Sequence, residues 1–275
     1  MNRTLRSASL AALCAVSLGA GSLFADAVVT FGSIPAGADE AGRVQLYAPS
    51  TASGGSSISH WDLATSPLLM WPAISSLLSF HQTDLTMPLF RDLGYPDGTS
   101  SFDFIYLDPP GFGFNETDAA PAAPGNPGTT YGEQRRYALE QAIAKWASMV
   151  GKTTPTTVLA VHRDSCCDAS SAVLASAGPT CVYTFTDQDD NPIFAAGNML
   201  AELLGEVDQT DCTYDVDGDG DDENGDIIVY VNENIDYDGS CLGGAGYYYG
   251  QDANEGTQIN FSNVLLHELG HGIGF

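Results

Sequence analysis

Near its C-terminal end the sequence contains the densest group of side chains that could do chemistry. His267 and His271 are four positions apart in an apolar segment, and Glu268 directly follows the first histidine. Because a helix repeats every 3.6 residues, both imidazoles would project from one face and could bind one zinc ion. Glu268 would then take a proton from a metal-activated water attacking a peptide carbonyl. H-E-x-x-H therefore predicts a zinc peptidase, and the alternative is a chance match in a core helix.

A catalytic zinc site needs a third protein ligand, and this helix alone does not supply one. In one zincin pattern, H-E-x-x-H-x-x-G-x-x-H, a glycine lets the chain turn so that a third histidine returns to the metal. Gly274 occupies the glycine position, but the third histidine would fall beyond Phe275. His81 and His162 have no supporting context, and we interpret both as surface or structural residues. The third ligand must come from elsewhere in the chain, or the site is incomplete.

A second metal-binding pattern lies in an acidic segment. Carboxylates recur at Asp215, Asp217, Asp219, Asp221 and Asp226, with Gly220 between them. This spacing reproduces an EF-hand-type loop, in which side chains at alternate positions bind Ca2+ and a glycine permits the sharp bend. The apolar segment Ile227–Val231 that follows is typical of a strand, so we expect an isolated calcium loop without flanking helices. An acidic solvated turn is the alternative.

The composition excludes several classes of partner. The chain has 275 residues, with 9 Lys+Arg against 35 Asp+Glu and a formal net charge of −26. Nucleic-acid binding and docking on anionic membranes both require basic stripes, so neither is expected. An apolar fraction of 44% is sufficient for the core of one large or two small domains. We expect protein or peptide substrates and a monomer.

The N-terminus has the pattern of an export signal. Arg3 and Arg6 precede a small, apolar stretch from 8 to 24, and Ala25-Asp26-Ala27 offers an A-x-A cleavage site. The stretch is too short and too rich in glycine for a stable membrane span. The sequence therefore predicts a signal peptide at 1–27 and a secreted or periplasmic protein without a membrane span.

The cysteines agree with an oxidising compartment. Beyond residue 27 they are Cys166, Cys167, Cys181, Cys212 and Cys241. Five cysteines allow at most two bridges within the chain, and their pairing is not readable from sequence. Cys212, just before the acidic segment, is one candidate partner for Cys241.

The secondary-structure signals indicate an α+β fold. Thr130 and Glu133 form a capping box that opens a helix to about Val150. A shorter helix is expected at Leu85–Leu93, and Ser262 is the expected N-cap of the zinc helix. Strands are expected at Val28–Phe31, Phe102–Leu107, Thr156–Val161 and Ile227–Val231.

Two regions resemble leishmanolysin-type metzincins. The stretch G-S-S-I-S-H-W-D ending at Asp62, the L-L-M ending at Met70 and the segment from Leu85 to Tyr95 resemble the C-terminal part of that family. The region 104–275 is similar to exported bacterial relatives, through G-N-P-G-T-T-Y-G-E-Q-R at the helix start and Y-Y-Y-G before the zinc helix. Together the two regions cover most of the mature chain.

The resemblance implies a ligand set and a fold. His60 would be the third zinc ligand, beside His267 and His271, and Met70 would be the methionine of the Met-turn beneath the metal. The implied fold is a metzincin-like zincin with a twisted mixed sheet, a long backing helix and an active-site helix. Residues 28–100 would correspond to the C-terminal subdomain and 101–275 to the N-terminal catalytic subdomain. Peptide binding along an edge strand is also implied, with Ile227–Val231 as a candidate.

The order of these parts differs from the family. The third ligand and Met-turn follow the zinc helix there, whereas His60 and Met70 precede it here. A circular permutation with cuts in exposed loops would keep the site complete. The sequence thus leaves three functions open: a secreted zinc endopeptidase, an inactive zinc-binding pseudopeptidase, and a calcium-binding extracellular module. A Glu-type third ligand is disfavoured, because no helix follows the zinc helix.

Overall fold

The computed structural model describes residues 45–63, 67–74, 82–186, 188–203, 213–217, 220 and 223–275. Its helices are α1 (Thr86–Leu93), α2 (Tyr131–Ala147), α3 (Asn198–Leu203), α4 (Asn234–Tyr237) and α5 (Phe261–Ile273). Its strands are β1 (Phe102–Tyr106), β2 (Thr156–Arg163), β3 (Ala175–Pro179), β4 (Val182–Thr186), β5 (Pro192–Gly197), β6 (Thr213–Tyr214), β7 (Glu223–Asn224), β8 (Ile227–Asn232), β9 (Tyr247–Tyr248) and β10 (Ile259–Asn260). The expected signal peptide at 1–27, the expected strand Val28–Phe31, and His81, Cys212, Asp219 and Asp221 lie outside the described residues.

The main sheet is mixed, which confirms the α+β class. Its strand order is β1-β2-β8-β3, with β1, β2 and β8 parallel and β3 antiparallel to β8. Strand β8 is buried along its whole length and is paired on both sides. The expectation that Ile227–Val231 is an edge strand is therefore wrong. The edges of this sheet are β1 and β3.

Alternation along the central strands divides the core into two layers. In β2, Val158 and Ala160 face the large cluster that includes α2 and α5, whereas Leu159 and Val161 face a smaller cluster on the other side. Successive strand side chains point to opposite faces, so both faces of this sheet are covered. Val216, from the acidic segment, packs into the smaller cluster.

Helix α2 packs against α5, and it begins with the predicted capping box. The Thr130 side chain accepts a hydrogen bond from the N–H of Glu133, whose carboxylate accepts one from the N–H of Thr130. The helix ends at Ala147, slightly before the expected Val150. The buried Trp146 indole N–H donates to the carbonyl of Leu266, 3.1 Å away, and thereby fixes α5 against α2.

The disulfide of Cys241 differs from the predicted one. Cys167 pairs with Cys241, with Cα atoms 5.5 Å apart, so the proposed Cys212–Cys241 pairing is wrong. Cys166 and Cys181 are also disulfide-bonded.

Within the described part of the chain, no helix has the length and apolar character needed to cross a bilayer.

Arg135 is a buried cation that joins α2 to two other segments. Its guanidinium lies 2.6 Å from the carboxylate of Glu116 and 3.0 Å from that of Asp236 on α4. It also donates to the hydroxyl of Tyr249 and to the carbonyl of Gly113, each at 2.8 Å. Because the guanidinium is only 2% exposed, these partners replace its hydration almost completely.

We predict that Arg135→Gln lowers the free energy of unfolding by about 3–5 kcal/mol, because two partly buried carboxylates lose their cation. Arg136→Gln is the control, since Arg136 lies on the same helix over the ring of Tyr106, and it should cost less than about 1 kcal/mol. Urea denaturation of the two variants and the wild type measures both changes. Equal losses of unfolding free energy in the two variants would contradict the role of Arg135 as a buried cation that joins these segments.

Candidate metal centre

Helix α5 carries the two histidines through the core. Its N-cap is Asn260, whose side chain accepts from the N–H of Asn263 at 2.9 Å, so the expectation that Ser262 is the cap is wrong. Ser262 instead accepts a hydrogen bond from Gln251 at 2.7 Å. Every residue of α5 is buried except His271, which is partly exposed. The histidine face of the helix therefore has access to solvent only at its C-terminal end.

The segment around His60 is fixed between two other stretches of chain. The carbonyl of His60 accepts from the N–H of Tyr47, and the N–H of Trp61 donates to the carbonyl of Met70, each at 2.8 Å. The Trp61 ring is fully buried and packs edge-on against Phe275, with centroids 4.9 Å apart. These contacts hold His60 over the C-terminal end of α5.

The structure brings His60, His267 and His271 together. The Nε2 atom of His60 lies 3.1 Å from that of His267 and 3.2 Å from that of His271, and the last two are 3.2 Å apart. In a tetrahedral zinc site with Zn–N distances of about 2.05 Å, the ligand nitrogens lie about 3.3 Å from one another. The three nitrogens thus have the spacing that a zinc ion requires, although His60 and His267 are 207 positions apart.

The opposite ring nitrogens determine which atoms carry hydrogen. The Nδ1 of His60 lies 3.0 Å from the carbonyl of Ser56, and that of His267 lies 2.6 Å from the carbonyl of Leu69. A carbonyl only accepts, so each Nδ1 carries the proton and each Nε2 presents a lone pair. The His271 ring makes the equivalent bond to the backbone of Phe275. Backbone carbonyls are common partners of metal-binding histidines, because they fix the tautomer and the ring orientation.

Burial keeps these imidazoles neutral. It lowers the pKa of His60 and of His267 to about 4, and it lowers the pKa of His271 well below the usual value for histidine. The neighbouring rings lower the pKa of His267 and of His271 further, since charging one ring disfavours charge on the next. Neutral imidazole is the form that binds a metal, so the group is ready to bind one at neutral pH.

Met70 packs against helix α5 at Gly270, the residue just before His271. It is fully buried, in a turn in which the N–H of Trp71 donates to the carbonyl of Leu68 at 3.1 Å. A Cβ atom at Gly270 would stand 2.7 Å from the sulfur of Met70, so a larger residue there would have to displace the methionine side chain. The same turn supplies the Leu69 carbonyl that orients His267. Met70 therefore contacts the histidine-bearing helix at Gly270, and its role as the methionine of a Met-turn stays a prediction.

Glu268 is buried beside the histidines and contacts the edge of the sheet. Its carboxylate accepts a hydrogen bond from the backbone N–H of Ala177 in β3. Burial raises the pKa of Glu268 to about 8. A divalent cation held by the adjacent imidazoles would lower that pKa, because a nearby opposite charge favours the carboxylate. Glu268 therefore has the environment of a proton acceptor that depends on the metal.

The acidic segment forms a second group of three side chains. Carboxylate oxygens of Asp215, Asp217 and Glu223 lie within 4.8 Å of one another. Strands β6 and β7 pair on either side of this segment, so its described flanks are strands and not helices. The calcium loop itself stays a prediction. Asp226 does not join the group, since its carboxylate accepts from the N–H of Thr157 at 2.8 Å. Sequence analysis missed Glu223, although it occupies the ninth position of the EF-hand spacing.

His162 belongs to a different part of the core. Its Nδ1 lies 2.8 Å from the carboxylate of Asp108, and both residues are buried. The same carboxylate accepts from the N–H of Phe114 at 2.6 Å. His162 is therefore a buried residue and not a surface residue, and it lies outside the group of three histidines.

Comparison with protein-family models, with curated proteins and with solved structures finds no match to this chain.

We predict that His60→Ala weakens zinc binding by more than about 100-fold, because it removes one of three ligands. Loss of a residue that only hydrogen-bonds a ligand costs about 10- to 100-fold. Elemental analysis after dialysis against a graded chelator measures this loss. His162→Ala, which removes a buried histidine outside the group, should keep about one zinc per chain. Equal zinc content in the two variants would exclude His60 as a ligand.

Proposed function

We propose that this protein is a secreted zinc-dependent endopeptidase of metzincin type. The observation that carries the proposal is the meeting of three neutral imidazole nitrogens, 3.1–3.2 Å apart, beside a buried glutamate. Three histidines and one open position form a common ligand set of catalytic zinc. The resemblance of the sequence to leishmanolysin-type metzincins supports the same assignment.

The chemistry follows from this ligand set. When bound, zinc acts as a Lewis acid that polarises the scissile carbonyl and lowers the pKa of water. Glu268 takes the proton from the attacking water and then donates it to the leaving amine. Its hydrogen bond to the N–H of Ala177 holds the carboxylate beside the edge of the sheet during both transfers.

Strand β3 is the element that we assign to substrate binding. Leu174, just before it, accepts from the N–H of Asn232, the last residue of β8, so Ala175 and Ala177 direct their backbone groups away from β8. An extended peptide adding to this edge would form main-chain hydrogen bonds, the usual mode of strand addition. It would also pass Glu268, because that carboxylate contacts Ala177.

The inverted order of the motifs is compatible with a complete site. His60 reaches the other two histidines, and Met70 lies under Gly270. These contacts support a permuted, complete peptidase over a pseudopeptidase with only two ligands. Secretion or a periplasmic location is part of the proposal, supported by the N-terminal export pattern and by the disulfide Cys167–Cys241.

We further propose a structural calcium ion at the loop of Asp215, Asp217 and Glu223. Three carboxylates supply the hard oxygen ligands that Ca2+ prefers. Val216 lies between the two aspartates and packs on the outer face of the sheet. A cation there would fix this loop over the smaller hydrophobic cluster.

We predict that Glu268→Gln lowers kcat/KM for fluorescently labelled casein by about 100- to 10,000-fold, the usual contribution of a general base. Zinc content and the thermal midpoint should stay near wild-type values, because glutamine preserves the size of the side chain. Glu140→Gln, on the exposed face of α2, is the control and should leave activity unchanged.

The wild-type protein distinguishes the remaining functions in the same assay. Stoichiometric zinc without cleavage would indicate the pseudopeptidase, and calcium binding without zinc would indicate the extracellular module. Cleavage that persists in Glu268→Gln would refute the assigned mechanism.

A further inference from the structure

We infer that Tyr247 is a positioning residue that fixes the start of the substrate-binding edge strand β3 relative to Glu268. The inference rests on the proposed peptidase function and deepens it. Tyr247 lies in β9, outside the H-E-x-x-H motif and outside the group of three histidines. Its role would be to set how tightly an extended peptide binds, without touching the reacting atoms.

The hydroxyl of Tyr247 contacts the edge strand directly. It donates to the carbonyl of Leu174 at 2.6 Å, and Leu174 immediately precedes β3. The same carbonyl accepts from the N–H of Asn232, so the Leu174 carbonyl has two hydrogen-bond donors, one from β8 and one from Tyr247. Three residues further on, the N–H of Ala177 donates to Glu268. Tyr247 and Glu268 therefore hold β3 at two points.

Tyr247 is itself fixed by the core. Its N–H donates to the carboxylate of Asp236 at 2.9 Å, and its carbonyl accepts from the side chain of Gln258 at 3.0 Å. Asp236 in turn binds Arg135 of α2 at 3.0 Å. A continuous series of hydrogen bonds thus runs from α2 through Asp236 and Tyr247 to the first residues of the edge strand.

The ring of Tyr247 provides the link to the catalytic helix. It packs edge-on against Phe261, the first residue of α5, with centroids 4.8 Å apart. Burial and the carboxylates of Asp236 and Glu268 raise the pKa of Tyr247 well above its usual value, so the hydroxyl stays a donor. One side chain therefore touches both the helix that carries Glu268 and the strand that would carry the substrate.

Strand β3 depends on such a support because it is an edge. It pairs with β8 on one side only, and its outward backbone groups are the ones that would bind a peptide. Loss of the Tyr247 hydroxyl would leave the segment before Ala175 held mainly by Asn232 and would loosen it. Peptide binding would weaken. The three histidines and Glu268 would keep their positions, because α5 and the segment around His60 carry them.

The test compares Tyr247→Phe with Tyr249→Phe. Tyr249 is also buried and packs against Phe261, but its hydroxyl bonds to Arg135 and Asp236, whereas that of Tyr247 bonds to Leu174. We expect Tyr247→Phe to raise KM for an extended quenched-fluorescence peptide about two- to tenfold, the factor for one neutral hydrogen bond. Its kcat and zinc content should stay near the wild-type values. Tyr249→Phe should leave KM unchanged, although it should lower the thermal midpoint at least as much.

Hydrogen exchange supplies a second measurement that needs no activity. Amides 174–178 should exchange faster in Tyr247→Phe than in the wild type, whereas those of α2 should not change. In Tyr249→Phe, amides 174–178 should match the wild type. Equal KM and equal exchange in the two variants would overturn the inference. If the proposed peptidase function is wrong, the wild-type protein will show no zinc-dependent cleavage. Hydrogen exchange at amides 174–178 then still tests whether Tyr247 fixes the strand.

Discussion

The structure depends on one electrostatic constraint, the placement of three imidazole lone pairs within 3.2 Å of one another inside the protein. Lone pairs at this spacing repel, and no hydrogen is available to join them, because Nδ1 of His60 and Nδ1 of His267 already donate to carbonyls. Burial also disfavours protonation, which would otherwise relieve the repulsion. A cation is the partner that satisfies all three atoms at once, and this is the physical reason for assigning a metal.

The rest of the fold can be understood as the support for that arrangement. Helix α5 is buried on almost every side, so its histidines cannot rotate away without disturbing the core. Trp146 fixes the helix from α2, and Met70 fills the space that Gly270 leaves open. Peptide carbonyls at Ser56 and Leu69 then orient two of the rings. Such supports are what keep metal ligands at a productive geometry.

Features that depend on spacing within one helix could be predicted from the sequence, whereas the pairing of strands in the sheet could not. H-E-x-x-H and the Thr130–Glu133 capping box depend on spacing within one helix, so they could be read directly from the sequence. Ile227–Val231 was correctly predicted as a strand but wrongly taken for an edge, because a continuous apolar run does not show how many partners a strand has. The true edge, β3, has the sequence A-S-A-G-P and carries little strand propensity.

The site shows the same division between local and tertiary information. His60 could be assigned only through the family resemblance, since no spacing relates it to a helix 207 positions away. The EF-hand spacing of the aspartates predicts Asp226 as the last ligand and does not indicate Glu223. In the structure the Asp226 carboxylate accepts a hydrogen bond from the N–H of Thr157, and Glu223 joins Asp215 and Asp217. The cap of α5 was placed at Ser262 instead of Asn260, since both residue types cap helices and only the backbone distinguishes them.

The distance in sequence between His60 and α5 has a small energetic cost. Loop-closure entropy rises only with the logarithm of length, and each doubling of a loop costs about 0.6 kcal/mol. Contacts of Trp61 with Phe275, and of Leu69 with His267, already hold the two segments together. A bound zinc ion would add a far larger free energy, about 10–16 kcal/mol in small structural sites. The order of the His60 segment and α5 along the chain therefore matters little to the stability of the proposed zinc centre, and a permuted chain would build that proposed site at little extra cost.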